Sequence, residues 1–159
     1  MSVTIRPMRP EDRPAVLGLL LELTGHEGSL NPQRITGPEA AAACLADDTE
    51  KAADQGGAVL VAEVEGLVLG YLALRRGRTG PFIHEHLRDH VYVENIVVAS
   101  ASRGTGLGQL LLAEAERFAR DVGCRVVQLS ALENNELALK AYRRAGFGVF
   151  ALDMAKILD

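Results

Sequence analysis

No apolar run in this chain of 159 residues approaches the roughly 18 residues needed to cross a bilayer, so no transmembrane helix is expected. Basic residues are in short supply as well. Seventeen Lys and Arg against 21 Asp and Glu give a net charge of −4, which removes any general attraction to nucleic acid or to an anionic membrane. A local anion site is compatible with that balance. Cysteine is scarce: Cys44 and Cys124 lie far apart, each in a helix-like stretch. They read as reduced core thiols of a cytoplasmic protein, not as a disulfide. The opening MSVTIRPMRPED has no apolar stretch behind a basic start, so a signal peptide is not expected. Repeats, biased tracts and linkers are also missing. What remains is a chain with 48% apolar residues, enough to close a core as one domain over 1–159.

Periodicity predicts the elements. VTIRPM (3–8) alternates like a strand, and PEDRPAVLGLLLELTG (10–25) reads as a helix with prolines in its first turn and Gly25 as its stop. A loop over 26–37 leads to a short Ala-rich helix at 38–48. Residues 57–77 read as a hairpin about Glu65-Gly66. HVYVENIVVAS (90–100) is a β-branched strand. Leu107, Leu110, Leu111, Ala115, Phe118, Ala119 and Val122 share one face of a helix that Gly123 ends. RVVQLSAL (125–132) is a strand, NNELALKAYRRAG (134–146) a capped helix, and 147–158 one or two last strands. This order implies an α/β domain with a largely antiparallel sheet at its front and helices across its faces.

Between the strand ending near Ser100 and the helix starting near Leu107 stands ASRGTGLGQLLL, with Gly104, Gly106 and Gly108 on alternate positions. Glycine lets successive amides turn inward without a Cβ in the way. A helix start leaves about four N–H groups unpaired and adds roughly half a positive charge. Arg103 adds a full one. Together these make a phosphate-sized anion site. A Walker loop would need Lys where Gln109 follows Gly108, and the dinucleotide fingerprint would need Gly there. The plain alternative is a tight strand-to-helix turn.

Arg103-x-x-Gly106-x-Gly108 resembles the pyrophosphate loop of the GNAT superfamily of acyl-CoA-dependent N-acetyltransferases. The strands before and after it fit, as does Asn135, Ala138, Tyr142, Gly146 and Phe147 read as Asn-x-x-Ala…Tyr…Gly-Phe. The resemblance covers nearly the whole chain and is weakest at 25–56 and 78–89. Residues 13–48 faintly resemble the diamine acetyltransferase branch, although Asn95 stands where that branch tends to have an acid. The resemblance implies a mixed, mostly antiparallel twisted sheet of about six to seven strands with about four helices. It implies acetyl-CoA as cosubstrate and no metal. The amides of Arg103, Gly104, Thr105, Gly106, Leu107 and Gly108, with Gln109 adjoining, would hold the pyrophosphate. The free edge at Ile96, Val97 and Val98 would pair with the pantetheine arm.

The acceptor must be a neutral amine. A lysine-like amine with pKa about 10.4 is about 3.4 units from losing its proton at pH 7, roughly 4.6 kcal/mol, so a base is useful. Glu94 lies mid-strand, where an unpaired carboxylate is expensive, and the family often has its base here. The other reading pairs Glu94 with an arginine such as Arg75. Tyr142 takes the position of the family's general acid, or else is a half-buried core tyrosine. Asn135 bonds the pantetheine arm or caps its helix. His84, His86 and His90 raise a metal question that no further ligand answers, so a substrate-facing or solvated loop is expected. Arg75, Arg76 and Arg78 read as a solvated hairpin end.

The expected activity is acetyl transfer from acetyl-CoA to a small-molecule primary amine by direct attack in a ternary complex. A homodimer is the expected state. Two alternatives stand beside it: a CoA-binding regulatory module without turnover, and an acetyltransferase acting on protein lysines or N-termini.

Overall fold

A computed structural model of the chain describes residues 2–159. Five strands follow one another in space as in sequence: β1 (Val3–Pro7), β2 (Ala58–Val64), β3 (Leu67–Arg78), β4 (Asp89–Val98) and β5 (Val126–Leu129). The pairings β1–β2, β2–β3 and β3–β4 are antiparallel, and β4–β5 is parallel. The helices are α1 (Arg13–Leu30), α2 (Pro38–Asp54), α3 (Leu107–Asp121) and α4 (Glu136–Arg144).

The expected six to seven strands, mostly antiparallel, are thus replaced by five in a mixed sheet. The strands expected at 147–158 do not form. No edge pairs with this segment, and residues 148–159 are exposed throughout. The hairpin forms as expected. Glu65 and Gly66 have φ of 51° and 80°, the doubly left-handed turn whose twist matches the flanking strands.

Two helix ends differ from the sequence reading. Gly25 does not stop α1, which runs five residues further to Leu30. A glycine ends a helix by turning left-handed, and Gly25 is not among the positive-φ glycines. Its cost of about 1 kcal/mol is offset where Asn134 Nδ2 donates to Leu30 O at 2.9 Å. Helix α2 continues past residue 48 to Asp54, because Asp48 and Lys51 carry its inner face onward. Cys44 lies in α2, whereas Cys124 follows α3; both are free thiols. Burial, with nearby Asp48, pushes the Cys44 thiol up to about 12.

Strand alternation divides the core. Leu60, Ala62, Leu72, Leu74, Val91 and Val93 meet Leu107, Leu111, Ala115 and Ala119 of α3 on one face. Val61, Tyr71, Ala73 and Val97 meet Val16, Leu20, Ala41 and Leu45 of α1 and α2 on the other. In β4 the parity changes midway. Ala73 faces Asn95, but Leu74 faces Val93, so Glu94 is an extra residue. Before this bulge the odd residues face α3. After it, Ile96 and Val98 face α3 while Val97 turns to the other side.

Candidate functional site

The bulge decides where β4 stops pairing with β5. Their ladder runs from His90↔Val126 to Val93↔Leu129 and ends there. Beyond it β4 continues to Val98, paired only with β3. The strands therefore part at Glu94. The edge of Ile96, Val97 and Val98 that faces away from β3 carries no strand, as expected from the sequence. A small cleft of about 50 Å³ lies at the parting, with Glu94, Ile96, Leu129, Asn135 and Tyr142 among its walls.

At the far end of the free edge the chain makes a short 3₁₀ turn (Ser100–Ser102) and enters the glycine loop. Gly104 and Gly106 have φ of 78° and 89°, which a side chain would strain. Gly108 has no such need, and a Cβ there would meet only Val98 Cγ2 at 3.8 Å. The first helical bond of α3 is Leu110 N–H to Gly106 O at 3.1 Å. The amides of residues 104 to 109 donate to no protein acceptor among the described residues. Arg103 N–H, by contrast, donates to Ser100 O, so its backbone leaves the expected set and only its side chain is free. Arg103 is exposed, in no ion pair among the described residues. Six consecutive unpaired amides at a helix N-terminus form a cradle for an anion. Gln109 Nε2 donates to Ala141 O at 3.1 Å, tying the start of α3 to α4.

Glu94 and Asn95 both turn toward α2, where a regular strand would have sent them to opposite faces. Glu94 is held by Arg75 Nε and, at 3.2 Å, by Lys51 Nζ. The pairing with Arg75 left open by the sequence is therefore present. Arg75 also stacks on Tyr92, with its guanidinium carbon 4.4 Å from the ring centre. It is not part of a solvated hairpin end, unlike Arg78, which is half exposed and joins Glu85 and Asp89. Asn95 donates to Asp48 at 2.8 Å and to Cys44 Sγ at 3.2 Å, and Tyr71 Oη–H donates to Asp48 at 2.7 Å. Burial raises the Asp48 carboxyl to about 6 against these two bonds, with Glu94 adding repulsion. Burial and the Asp48 charge push the Tyr71 phenol upward.

Tyr142 projects from α4 into the same cleft, and its ring meets Phe147 edge-on at 6.1 Å. Burial first, then the charge of Glu27 on α1, pushes its phenol up to about 12. Asn135 is 8% exposed. Its Oδ1 accepts from Ala138 N–H at 3.3 Å, capping α4, and lies 3.4 Å from His26 Nε2. Asn134, the other possible cap, is engaged with α1 instead.

The three histidines do not come together. His84 and His86 stack with ring centres 6.0 Å apart. Buried His90 donates through Nδ1–H to Arg88 O at 3.1 Å, its ring lying over Gly77. The donor atoms of Asp47, Asp48 and Glu94 do lie within 4.8 Å of one another. Each is already bonded, Asp47 to Lys51 at 2.8 Å and the others as above. Asp48, Tyr71, Lys51 and Glu27 were missed in the sequence. Asp48 had a signal: with Ala41 and Leu45 it continues one helical stripe.

Residues 29–147, which hold the parted strand and the cradle of amides, match the model of the acetyltransferase (GNAT) family. The chain belongs to this family. The GNAT chain is 41% identical to streptothricin acetyltransferase of Streptomyces lavendulae over 63 residues, 40% of this chain and 33% of that one. It is 39% identical to mycothiol acetyltransferase of Parafrankia sp. (strain EAN1pec) over 79 residues, 50% of this chain and 22% of that one. The chain thus spans a minor part of these relatives. Among solved structures, it is similar to the aminoglycoside N-acetyltransferase AAC(6')-Iy in complex with CoA. The TM-score is 0.72 at 21% identity, over 99% of this chain and 95% of that one. A transcriptional regulator from Bacillus halodurans C-125 gives 0.76 at 20% identity, over 99% and 100%. At these identities the likeness is one of fold. Among the described residues no helix is long and apolar enough to cross a membrane.

Proposed function

We propose that this GNAT chain transfers the acetyl group of acetyl-CoA to a small-molecule primary amine by direct attack in a ternary complex. The observation that carries the reading is the run of six unpaired amides at 104–109, continuous with the free β4 edge that ends at Glu94 and Tyr142. The amides receive the diphosphate of CoA, with Arg103 adding charge. The free edge at Ile96, Val97 and Val98 takes the amide-bearing arm as an added strand. Asn135, its Oδ1 used in capping, offers its side-chain N–H to that arm.

This arrangement brings the thioester to the parting of β4 and β5. Glu94 keeps lone pairs beyond those taken by Arg75 and Lys51, and through them it accepts the proton of the attacking amine, directly or through water. As the N–C bond forms and the C–S bond breaks, Tyr142 donates a hydrogen bond to the departing sulfur. It does not surrender its proton there. A phenol near 12 facing a thiol near 8.5 makes full transfer uphill by about 3.5 units, roughly 5 kcal/mol. The sulfur takes its proton later, from solvent.

Glu27 and Glu94 line the cleft, each already ion-paired, Glu27 with Arg34 at 2.6 Å and Glu94 with Arg75 and Lys51, so charge alone does not select the acceptor. That two similar proteins are named for acetylating streptothricin and aminoglycosides supports the small-molecule reading. The double ion pairing of Glu94 favours a second reading, a module that binds CoA without turnover. Thiol release from acetyl-CoA over a panel of mono- and polyamines separates the two. Amine-dependent release supports transfer, and CoA binding with no release for any amine supports the module.

A further inference from the structure

Lysine is uncommon in this chain. Of its 17 Lys and Arg, only Lys51, Lys140 and Lys156 are lysines. Lys140 and Lys156 are exposed, and neither is paired with Glu94. Lys51 stands elsewhere. From α2 its Nζ lies 3.2 Å from Glu94 Oε2 and 2.8 Å from Asp47, with the side chain 34% exposed.

A general base must stand within about 2.6–3.2 Å, or one water, of the group whose proton it takes. Glu94 lines the cleft where β4 and β5 part. The amine that already meets this condition is one of the chain's own. It is a primary amine on a flexible four-carbon stem, and its tether turns a bimolecular encounter into an intramolecular one. Asp47, then Glu94, hold its ammonium above the ordinary range. The proton must therefore pass to a carboxylate in contact with it, and Glu94 is the one at the cleft.

We infer that Lys51 is a modification site served by the chain's own cleft: with acetyl-CoA bound and no other acceptor present, Lys51 Nζ takes the acetyl group. The inference rests on the acetyl transfer, and on the role of Glu94, proposed above. Glu94 accepts one proton from the ammonium and passes it to solvent. The freed lone pair attacks the thioester carbonyl. As the N–C bond forms, the C–S bond breaks and sulfur leaves as thiolate, to be protonated from solvent. The new amide nitrogen gives its second proton to solvent. Acetylation abolishes the charge of Lys51 and leaves Glu94 paired with Arg75 alone among the described residues.

The test uses the full chain, of verified unmodified mass, with acetyl-CoA labelled in its acetyl group and no added amine. Peptide mass mapping finds label on Lys51 roughly a hundredfold faster than on Lys140 or Lys156, the scale of general base catalysis. The rate constant is unchanged when the chain is diluted. Glu94→Gln removes the excess at Lys51. Gly106→Val, at an open position of the loop, lowers it through the cosubstrate and decides the matter if Glu94→Gln does not fold. Equal labelling of the three lysines overturns the inference. So does an excess that the variants retain, or a rate constant that falls on dilution. Thiol release with an added amine while Lys51 stays unlabelled overturns it and leaves the acetyl transfer standing. Neither release nor label overturns both.

Discussion

Lys51 on α2 and Glu94 at the β4 bulge are joined at 3.2 Å, with Arg75 holding the other carboxylate oxygen. The bulge makes this contact. It sends Glu94 and Asn95 to the same side and at the same residue ends the β4–β5 ladder. One inserted residue therefore both opens the cleft and sets a carboxylate at its mouth.

Replacing Glu94 by Gln removes the proton acceptor and keeps the shape. General base catalysis is typically worth about 10²–10⁴-fold. With two cations already on the carboxylate, the expected loss in kcat is near the lower end, about a hundredfold, at unchanged KM for acetyl-CoA. Steady-state kinetics across pH check this, and an unchanged rate with an unchanged pH profile would remove Glu94 from the mechanism.

Tyr142→Phe lowers kcat by about 10–100-fold and leaves acetyl-CoA affinity in place, since only a hydrogen bond to the leaving sulfur is lost. The wild-type phenol, pushed up to about 12, stays protonated through the ordinary assay range. No descending limb from Tyr142 is expected between pH 8 and 10. A loss confined to affinity would make Tyr142 a packing residue.

Asp48 couples folding to pH. Its carboxyl is raised from 3.8 to about 6, so between those values the folded state binds more protons than the unfolded one. Stability from this group is present below about pH 4 and falls as pH rises through about 6. The full loss is on the order of 3 kcal/mol. Asp48→Asn removes that slope. Melting curves from pH 4 to 7 should show the variant gaining on the wild type across the window, and parallel curves would contradict the assignment.

Much of this was written plainly in the sequence. Glu65-Gly66 set the hairpin, the Leu107–Ala119 stripe set α3, and the glycines marked the cradle, because each is a local signal read within one turn or one element. The errors came where long-range contacts decide. Gly25 stays helical, and the end of α1 beyond it bonds Asn134, from the turn that precedes α4. The parity change from Val91 and Val93 to Ile96 and Val98 was visible in VYVENIVV, yet only pairing with β3 shows that Glu94 is the extra residue. Asp48 sat on the α2 stripe, but its partners Tyr71 and Asn95 come from two strands. The apolar pattern of 147–158 predicts strand, yet among the described residues no sheet edge receives it.

The proposed activity requires the amides of residues 104–109 to hold the diphosphate of CoA. Titration calorimetry of CoA into the wild type and into Gly106→Val, each with its melting point recorded, tests it most directly. At φ of 89° a branched side chain at Gly106 strains the cradle while the fold persists. Micromolar binding is expected for the wild type, with at least a tenfold loss in the variant at a melting point within a few degrees. Equal heats for both proteins, or none for the wild type, would contradict it.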